Sequence, residues 1–492
     1  MNYLSKHYVS LLLAKTACLL IATCCFSCSS NSQKKQPNVL IITADDLGWA
    51  DLPLYGNTFN EAPNISRFAE DAVMFTNAYA AAPVCSPTRA SIMTGISPAQ
   101  LHLTTWIEAS HRPAWATEGK TLPPITEENL SLDYITLAEV LKEKGYLTAH
   151  VGKWHLGDLS HFPENQGFDV CFGTTDKGAP PSYFFPYRGR VYDNDRYVPD
   201  LESSSEGKYF ENRNGEYLAD RLTDEAIKII KEAKNRPLFL NMAFYSVHAP
   251  IMAKEKLVNH FTRKKSEMKP SSNPVYAGMI FSLDENIGRI IQCLKDENLY
   301  DNTIIIFLSD NGGFEGEWDG QPVTDNKPLK AGKGFLYEGG IRIPMVIKWP
   351  EVSNVNTKTD VPATTMDILP SILDYFKINL DAEYSKKIEG ESIIQVIKNP
   401  LQTVDNRPLF WHFPHTYETK VPTCAMRMGD WKIIRFFETG NIELYNLKDD
   451  LGEENDLAGR YPERLNEMSK MLNNWLIKVD AQLPEPNPAY KP

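Results

Sequence analysis

Runs of apolar, β-branched residues alternate with helical patterns along most of the chain. Four runs lack polar alternation and are typical of strands buried on both faces of a sheet: residues 39–43, 147–151, 238–244 and 303–308. Amphipathic helical patterns lie between them, at residues 66–75, 136–144, 219–234 and 276–296. This repeated order of strand and helix predicts an α/β fold, in which helices sandwich a large, mostly parallel sheet with right-handed crossovers.

The pattern changes after about residue 400, where short strands separated by turns replace this alternation. The strands at 409–412, 426–428, 432–437 and 443–446 are interrupted by turn residues such as Gly429 and Asp430, which favours an antiparallel sheet. A helical pattern at 463–479 follows, and we expect the proline-rich end of the chain to be loose. We therefore predict a large α/β domain at 37–400 and a smaller C-terminal domain of antiparallel sheet plus helix at 401–492.

The N-terminus has the pattern of a targeting segment. Lys6 and His7 precede an apolar run at 9–26, and Lys15 interrupts this run, so the uninterrupted stretch is too short for a transmembrane helix. The Cys- and Ser-rich end of the run resembles a bacterial lipoprotein cleavage region, with Cys28 as the first lipidation candidate and Cys24 as the second. We predict a signal peptide at 1–28, a polar tether at 29–36, and export to the periplasm or outer membrane of a Gram-negative bacterium. Simple cleavage with free release stays open as an alternative.

The net charge and the positions of the cysteines argue against two classes of protein, nucleic-acid-binding and disulfide-rich. The net charge of −12 argues against a nucleic-acid-binding protein, but it does not exclude a small anionic substrate, because the local field decides binding at a site. Four of the eight cysteines fall in the targeting segment, and the rest lie far apart in sequence, which is no disulfide framework. Apart from Cys85, the later cysteines allow either one bridge or three buried thiols: Cys171, Cys293 and Cys424.

Polar residues follow each of the four predicted strands at its carboxyl end, where binding sites form in open α/β sheets. The first and fourth strands deliver oxygen donors: Asp45, Asp46, Asp310 and Asn311. Three crowded carboxylates need a cation, and an all-oxygen set without His or Cys favours Ca²⁺ or Mg²⁺ over Zn²⁺. We expect a single Ca²⁺.

Cationic and titratable residues are expected at the same edge of the sheet. The second and third strands and a glycine-flanked loop deliver them: Lys153, His155, His248 and Lys333. Lys153 and His155 are two residues apart and would point the same way on an extended segment. On the same glycine-flanked loop, Arg342 is expected to be structural and to pair with Glu338.

Residues 85–95, Cys-Ser-Pro-Thr-Arg-Ala-Ser-Ile-Met-Thr-Gly, form the most informative motif. Pro87 suits the first position of a helix, which puts Cys85 at a helix N-terminus whose free N–H groups favour an anion. Arg89 lies one turn further on, so its guanidinium is expected to reach the side chain of Cys85. A buried filler cysteine and a thiolate nucleophile are the alternatives, although a phosphatase-type thiolate loop uses a longer spacing and glycines that are absent here.

The segment Cys85-Ser86-Pro87-Thr88-Arg89 resembles the modification signature of type I sulfatases, and the segments above resemble that family, in order, from about residue 38 to the end. The resemblance implies an alkaline-phosphatase-like fold and a formylglycine that a maturation enzyme makes from Cys85, the Cys-type precursor. It implies Ca²⁺ ligands at Asp45, Asp46, Cys85, Asp310 and Asn311. It also implies active-site roles for Arg89, Lys153, His155, His248 and Lys333.

The reaction implied by this resemblance is the hydrolysis of a sulfate ester. Ca²⁺, Lys153, Lys333 and Arg89 would neutralise the sulfate oxygens while a hydroxyl of the hydrated aldehyde attacks sulfur. His248, with Lys333, would protonate the leaving alcohol, and His155 would then take the proton of the remaining hydroxyl so that sulfate leaves. Two alternatives stay open: a phosphonate or phosphate monoester hydrolase on the same scaffold, and a glycan-binding lipoprotein without turnover.

Two polar and aromatic inserts are candidates for substrate recognition. The insert at 101–123 carries His102, Trp106, Glu108, His111 and Arg112, and the insert at 176–196 carries Tyr183, Phe184, Phe185, Tyr187 and Arg188. Aromatic platforms with acidic and basic neighbours suit sugar rings and their hydroxyls, whereas ordinary loop packing is the alternative. We expect a sulfated carbohydrate of the glycosaminoglycan or mucin type as substrate.

Overall fold

The computed structural model describes residues 35–112, 117–185, 187, 191–193, 196–198, 215–233, 236–268, 272–401, 407–417 and 421–490. The chain from Pro37 to Pro492 forms one compact unit. The predicted signal peptide with Cys24 and Cys28, most of the tether, and Arg188 lie outside the described residues, and the division at residue 400 stays a prediction. Among the helices of the described part, none has both the length and the apolar character needed to cross a bilayer.

The described strands form one large sheet, one small sheet and two short pairs. They are β1 (Asn38–Ala44), β2 (Val73–Tyr79), β3 (Thr121–Leu122), β4 (Leu147–Gly152), β5 (Val170–Thr174), β6 (Val191–Asp193), β7 (Arg196–Val198), β8 (Leu238–Ala243), β9 (Thr303–Ser309), β10 (Glu317–Trp318), β11 (Gln321–Pro322), β12 (Arg342–Lys348), β13 (Thr357–Thr359), β14 (Ala363–Thr364), β15 (Pro408–Phe413), β16 (Thr423–Met428), β17 (Trp431–Phe436), β18 (Ile442–Asn446) and β19 (Glu485–Pro486).

The large sheet is mostly parallel, as the sequence predicts. Its order within the described residues is β13-β2-β12-β9-β1-β8-β4-β5-β6-β7, with β14 also paired to β2. Five adjacent strands, β9, β1, β8, β4 and β5, run parallel, and all four strands predicted from apolar runs belong to this group. Strand β12 runs antiparallel to both of its neighbours, and β6 and β7 are antiparallel at the far edge.

Helices cover both faces of this sheet because its central strands are apolar on both sides. In β1, Leu40 and Ile42 pack into one core cluster and Val39 and Ile41 into the other. The first cluster includes buried residues of the helices Pro63–Glu70, Leu218–Glu232 and Pro274–Asp296. The second includes residues of the helices Cys85–Thr94, Leu137–Glu143, Ile368–Phe376 and Ile394–Lys398. The remaining α-helices are Pro98–Leu101, Glu255–Met268, Glu338–Ile341, Ala382–Ser385 and Pro462–Lys478.

The helix predicted at 66–75 is wrong in its second half. The helix spans Pro63–Glu70, and Val73–Tyr79 forms strand β2. Val73 continues the apolar helical pattern in sequence, but it pairs with Ile347 of β12, a partner that local periodicity cannot reveal. Strand β12 is not predicted from the sequence, because it contains Pro344 and proline normally argues against a central strand. The structure tolerates this proline because it lies where the register between β2 and β12 shifts, so its missing N–H is not needed.

The C-terminal strands form the antiparallel sheet β15-β16-β17-β18, in agreement with the prediction. Successive side chains of a strand point to opposite faces, so this sheet packs on two sides. Met426 and Cys424 join the cluster of Leu472 in the helix Pro462–Lys478, and Ala425 joins the cluster of Tyr79 at the end of β2. The small sheet is thereby fixed between its own helix and the large α/β layer.

The expectation of a loose proline-rich end is wrong for the described residues up to 490. Strand β19 pairs antiparallel with β3, which lies in the insert at 101–123. The N–H of Asn487 donates to the carbonyl oxygen of Lys120 at 2.9 Å. Proline is tolerated at a strand edge of this kind because the missing donor faces away from the ladder. The tail therefore holds the first insert in place.

Candidate active site

Two neighbouring parallel strands bring the predicted oxygen donors together. Ala44 ends β1 and pairs in register with Ser309, which ends β9, so the next residues of both strands emerge side by side. The backbone N–H of Asp46 donates to Oδ1 of Asp310 at 3.2 Å. The amide Nδ2 of Asn311 donates to Oδ1 of Asp46 at 2.8 Å. The strand-end argument therefore places these residues in one buried group.

Two oxygens of this group are buried and accept no hydrogen bond, although Oδ1 of Asp45 lies 3.9 Å from Nη2 of Arg89. They are Oδ1 of Asp45 and Oδ1 of Asn311, and both belong to side chains that the sequence predicts as cation ligands. A buried oxygen without a donor is costly unless a cation or water satisfies it. Atoms of Asp45, Asp46 and His248 also lie within 4.8 Å of one another, so this geometry adds an imidazole to the predicted all-oxygen set. The donor set fits a hard cation such as Ca²⁺.

Three cationic side chains surround the carboxylates. Nζ of Lys153 lies 2.7 Å from Oδ2 of Asp45, and Nζ of Lys333 lies 2.8 Å from Asp46. Nε of Arg89 donates to Oδ2 of Asp310 at 2.8 Å. Three carboxylates thus face three permanent positive charges, and a bound divalent cation would make the group net positive. A site of that charge suits an anionic substrate.

Burial and the neighbouring positive charges have opposite effects on the pKa values of the carboxylates. Burial raises the pKa of Asp45 well above its usual range, although Lys153 opposes this effect. At Asp46, Lys333 and His248 outweigh burial and hold the pKa below its usual range. The pair therefore offers one carboxylate that is already ionised and one whose ionisation a nearby positive charge would favour.

Gly152 directs Lys153 into this group. Strand β4 ends at Gly152, whose φ of 102° lies in the left-handed region that favours glycine. A Cβ at this position would stand 1.9 Å from the carbonyl oxygen of Ala243 on β8. The chain turns there, and the N–H of Lys153 donates to that same carbonyl oxygen. The ammonium group consequently lies among the strand ends, with a side chain that is 0 % exposed.

Cys85 is the first residue of the helix Cys85–Thr94, as the motif predicts, and is buried. Pro87 is the third helical residue and not the first; a proline is tolerated there because the first four N–H groups of a helix lack intrahelical partners. Burial alone would raise the pKa of the Cys85 thiol, but Lys153, His155 and Lys333 together lower it to about 6. The side chain thus lies within the field of the cationic group.

Arg89 lies one turn beyond Cys85. Burial lowers the pKa of its guanidinium, but the charges of Asp310, Asp45 and then Cys85 outweigh burial and raise that pKa. Besides Asp310, its guanidinium donates to the carbonyl oxygen of Lys153 at 2.9 Å. Both hydrogen bonds anchor the helix of residue 85 to the ends of β9 and β4. These contacts of Arg89 therefore link the predicted nucleophile to the predicted cation ligands.

His155 connects Cys85 to the insert at 101–123. Its Nδ1 lies 3.3 Å from Sγ of Cys85, and its Nε2 lies 2.6 Å from Oε2 of Glu108. His155 has a φ of 57°, so the segment is not extended as predicted, although its ring still meets the site. Burial lowers the pKa of His155, but the charges of Cys85 and Glu108 raise it to about 9.

Glu108, a candidate for sugar recognition in the sequence, makes a contact that the sequence does not predict. Its two oxygens accept hydrogen bonds from His155 and from the N–H of Gly178, the latter at 3.0 Å. An acidic residue within a polar insert carries no local signal of such a contact. Only the folded arrangement of two distant loops brings Glu108 to the imidazole of His155.

His248 presents one ring nitrogen to the carboxylates. Its Nδ1 lies 2.7 Å from the carbonyl oxygen of Ala249, so the proton of the neutral ring is assigned to Nδ1. Its Nε2 lies 3.5 Å from Oδ2 of Asp46. Burial and the charge of Lys333 lower the pKa of His248 to about 3, although Asp46 opposes them. The ring is therefore neutral and exposes a proton acceptor to the site.

The insert residues divide between loop packing and the edge of the site. The hydroxyl of Tyr183 lies within hydrogen-bond distance of the carbonyl oxygens of Tyr245 and His248, which makes it a support for the His248 loop. His111 is exposed and pairs with Glu128 at 3.1 Å. Trp106 packs edge-on against Tyr417, with ring centroids 5.0 Å apart. The remaining cysteines, Cys171, Cys293 and Cys424, are buried and form no disulfide with one another in the described part of the chain.

Arg342 has the structural role that the sequence predicts. Its Nε donates to Oε2 of Glu338 at 2.7 Å, and Lys432 of the C-terminal sheet lies 2.9 Å from the other oxygen of the same carboxylate. Lys432 also lies 2.8 Å from Glu453. This buried ion cluster joins the C-terminal sheet to the α/β layer.

Comparison with known proteins gives one consistent family. The sequence profile described as Sulfatase matches residues 37–378, and the profile described as N-sulphoglucosamine sulphohydrolase, C-terminal, matches residues 331–482. A sulfatase of Formosa agariphila is 30% identical over 92% of this chain and 91% of its own length. Human N-acetylgalactosamine-6-sulfatase is 31% identical over 76% of this chain and 68% of its own length.

The fold gives the same assignment. The solved structure of Ps i-CgsB in complex with k-i-k-neocarrahexaose has a TM-score of 0.75 and 26% identity, and the match covers 93% of this chain and 95% of that one. The mixed, mostly parallel sheet with its C-terminal antiparallel layer is the alkaline-phosphatase-like fold. The chain is an enzyme of this fold and belongs to the sulfatase family.

Proposed function

We propose that this sulfatase removes sulfate from a sulfated carbohydrate by means of a formylglycine made from Cys85. The observation that carries the proposal is the position of Cys85, which is buried at a helix start beside His155 and within the field of Lys153 and Lys333. A maturation enzyme is the partner that this conversion requires. Formylglycine would supply a hydrated aldehyde, which offers one hydroxyl for attack on sulfur and a second for release of the product.

Ca²⁺ is the proposed cofactor, held by Asp45, Asp46, Asp310, Asn311 and the side chain at position 85. The oxygens of Asp45 and Asn311 that accept no hydrogen bond support this assignment, together with the meeting of carboxylates at the ends of two strands. When bound, the cation would supply Lewis-acid stabilisation of a sulfate oxygen. The three cationic residues that now pair with carboxylates could then turn part of their charge to the substrate.

The position of each charged or titratable side chain in the site suggests its role in the reaction. Lys153, Lys333 and Arg89 provide positive charge for the sulfate oxygens. His248 directs Nε2 into the site, and a bound sulfate raises the pKa of a neighbouring imidazole, which equips His248 to protonate the leaving alcohol. His155 directs Nδ1 at residue 85 and can accept the proton of a hydroxyl there.

A carbohydrate substrate is supported by the walls of the site and by the relatives. Trp106 and Tyr417 form an aromatic pair. Burial lowers the pKa of Lys333, whereas Asp46 and then Tyr417 raise it, so Tyr417 acts electrostatically on a lysine of the site. Aromatic side chains suit the apolar faces of sugar rings. One relative is named for N-acetylgalactosamine 6-sulfate, and one structural neighbour was solved with k-i-k-neocarrahexaose. A glycosaminoglycan- or mucin-type glycan is the class we propose.

The test is a screen of defined sulfated mono- and disaccharides, with sulfate release as the readout. Conversion of Cys85 is measured first by the mass of the peptide that contains it, because an unconverted chain would be inactive for a trivial reason. We expect sulfate release from at least one sugar and none from the Cys85→Ala variant. Faster turnover of a phosphate monoester or a phosphonate ester in a parallel assay would overturn the sulfate assignment.

Export and lipidation of this enzyme are a separate part of the proposal. The pattern of residues 1–28, and the choice of Cys28 over Cys24, support an exported lipoprotein of the periplasm or outer membrane. The mass of the mature N-terminus decides between lipidation and simple cleavage. A free N-terminus elsewhere than Cys28 would reject the lipid anchor, and the catalytic proposal would stand unchanged.

A further inference from the structure

Glu108 and His155 form a short hydrogen bond at the edge of the site, and both carboxylate oxygens of Glu108 have partners within the protein. The distance between Oε2 of Glu108 and Nε2 of His155 is 2.6 Å, which is short for a hydrogen bond between a carboxylate and an imidazole. The other oxygen of Glu108 accepts the N–H of Gly178 at 3.0 Å. Both oxygens are therefore engaged before any substrate binds, although 35 % of the Glu108 side chain is exposed at the edge of the site.

The imidazole of His155 has little freedom within this arrangement. Its side chain is 1 % exposed, and a Cβ on Gly178 would stand 2.4 Å from its Cε1 atom. Against the effect of burial, an ionised Cys85 is the first of the two charges that raise the pKa of His155, and conversion of Cys85 to formylglycine removes that charge. In the neutral ring, the carboxylate of Glu108 accepts a hydrogen bond from Nε2–H, which leaves Nδ1 without a proton. That Nδ1 is the atom that lies 3.3 Å from Sγ of Cys85. The contacts thus orient a proton acceptor toward residue 85.

We propose that Glu108 is a positioning residue that holds His155 in the orientation needed to release sulfate from residue 85. This inference rests on the proposed sulfatase function of the site. It assigns Glu108 to the second half of the reaction and not to the binding of sugar. The hydrogen bonds of the Glu108 side chain go to His155 and Gly178, so Glu108 acts on residue 85 only through the imidazole of His155.

At the release step, residue 85 carries one free hydroxyl and one sulfate ester on the same carbon. Nδ1 of His155 takes the proton of the hydroxyl, and the electrons of the O–H bond form the C=O bond of the aldehyde. The bond between that carbon and the sulfate oxygen breaks, and sulfate leaves with the electron pair. The imidazolium then returns its proton to water, and a water molecule hydrates the aldehyde.

Loss of the carboxylate at position 108 is expected to slow this release step more than the attack on sulfur. The Glu108→Ala variant should lower kcat about 10²-fold, the lower end of what general-base catalysis supplies. With an aryl sulfate it should show a burst of alcohol followed by slow turnover, and the peptide containing residue 85 should be heavier than its hydrated-aldehyde form by one SO₃ unit. Added formate or acetate should restore part of the rate, because position 108 is partly open to solvent.

A matched control lies close by in the chain. Glu128 also pairs with a histidine, His111, but both side chains are exposed, and the pair has no contact with Cys85 in the described structure. Glu128→Ala should keep wild-type kinetics with no sulfated peptide and no response to formate. A crystal structure of each variant in its unmodified Cys85 form supplies a readout besides activity, since only Glu108→Ala should release the ring of His155.

The outcomes separate the two proposals. If the converted wild-type enzyme releases sulfate from no ester, the proposed function fails. If the wild type is active and Glu108→Ala behaves like Glu128→Ala, the role of Glu108 is wrong and the proposed function stands. If Glu108→Ala raises KM for sugars but leaves kcat and the mass of residue 85 unchanged, Glu108 is a sugar contact and this inference is overturned.

Discussion

Replacing Gly178 by alanine tests whether the position of the His155 ring controls the reaction. An ideal Cβ at this position lies 2.4 Å from Cε1 and 2.9 Å from both nitrogens of the ring. Carbon atoms in contact are normally about 3.5–4.0 Å apart, so the ring or the loop has to move by about 1 Å. The φ of Gly178 lies outside the left-handed region, so the alanine backbone itself is not strained.

The ring is the part whose displacement matters, because it is bound on both sides by Cys85 and Glu108. A misplacement of about 1 Å between reacting groups can cost about 10²-fold in rate. We therefore expect Gly178→Ala to lower kcat for sulfate release by about 10²-fold. The loss should be in the chemical steps, since the alanine adds a methyl group beside His155 and removes no charge.

The assay compares Gly178→Ala with wild type and with Gly459→Ala, after conversion of Cys85 has been measured in all three. Gly459 is a matched control, because a Cβ there meets no atom within 4 Å and its φ is not left-handed. A crystal structure of Gly178→Ala shows where the ring has gone. Activity equal to that of Gly459→Ala, with the ring displaced from residue 85, would refute the argument that ring position limits the rate.

Three further predictions address the charge clusters. Lys432→Met leaves the buried carboxylates of Glu338 and Glu453 without their shared ammonium, so the free energy of unfolding in urea should fall by about 3–5 kcal/mol; an unchanged value contradicts the buried pairing. Burial, followed by repulsion from Glu338, raises the pKa of Glu453 from 4.5 to about 7 against the pull of Lys432. The folded chain therefore holds a proton that the unfolded chain releases, and this stabilisation is complete below pH 4.5 and is lost as the pH rises through 7. Glu453→Gln should flatten the pH profile of stability over that window, and a profile parallel to wild type would contradict the assignment. Removal of divalent cations by a chelator should lower the Tm of the wild type more than that of Asn311→Ala, and equal shifts would exclude Asn311 as a ligand.

The amino-acid sequence is sufficient to specify the central strands and the polar residues at their carboxyl ends. Unbroken apolar runs such as 303–308 can be buried on both faces of a sheet only if helices cover both, which requires the α/β layers of this fold. In neighbouring parallel strands that end in register, the next residues of both lie at one edge of the sheet. The contact between Asp46 and Asp310 can therefore be predicted without any knowledge of the loops. The position of Cys85 at a helix start likewise comes from a local motif.

Long-range packing specifies the features that depend on partners distant in the chain. Val73 extends a helical pattern until its pairing with Ile347 makes it a strand, because cross-strand packing outweighs a weak local preference. The proline-rich tail is ordered because Asn487 binds the insert at Lys120. In sequence, Glu108 is one polar loop residue among several, and only the approach of His155 and Gly178 gives it a partner. Periodicity reports burial on one element, whereas a contact between two loops is set by how all the elements pack.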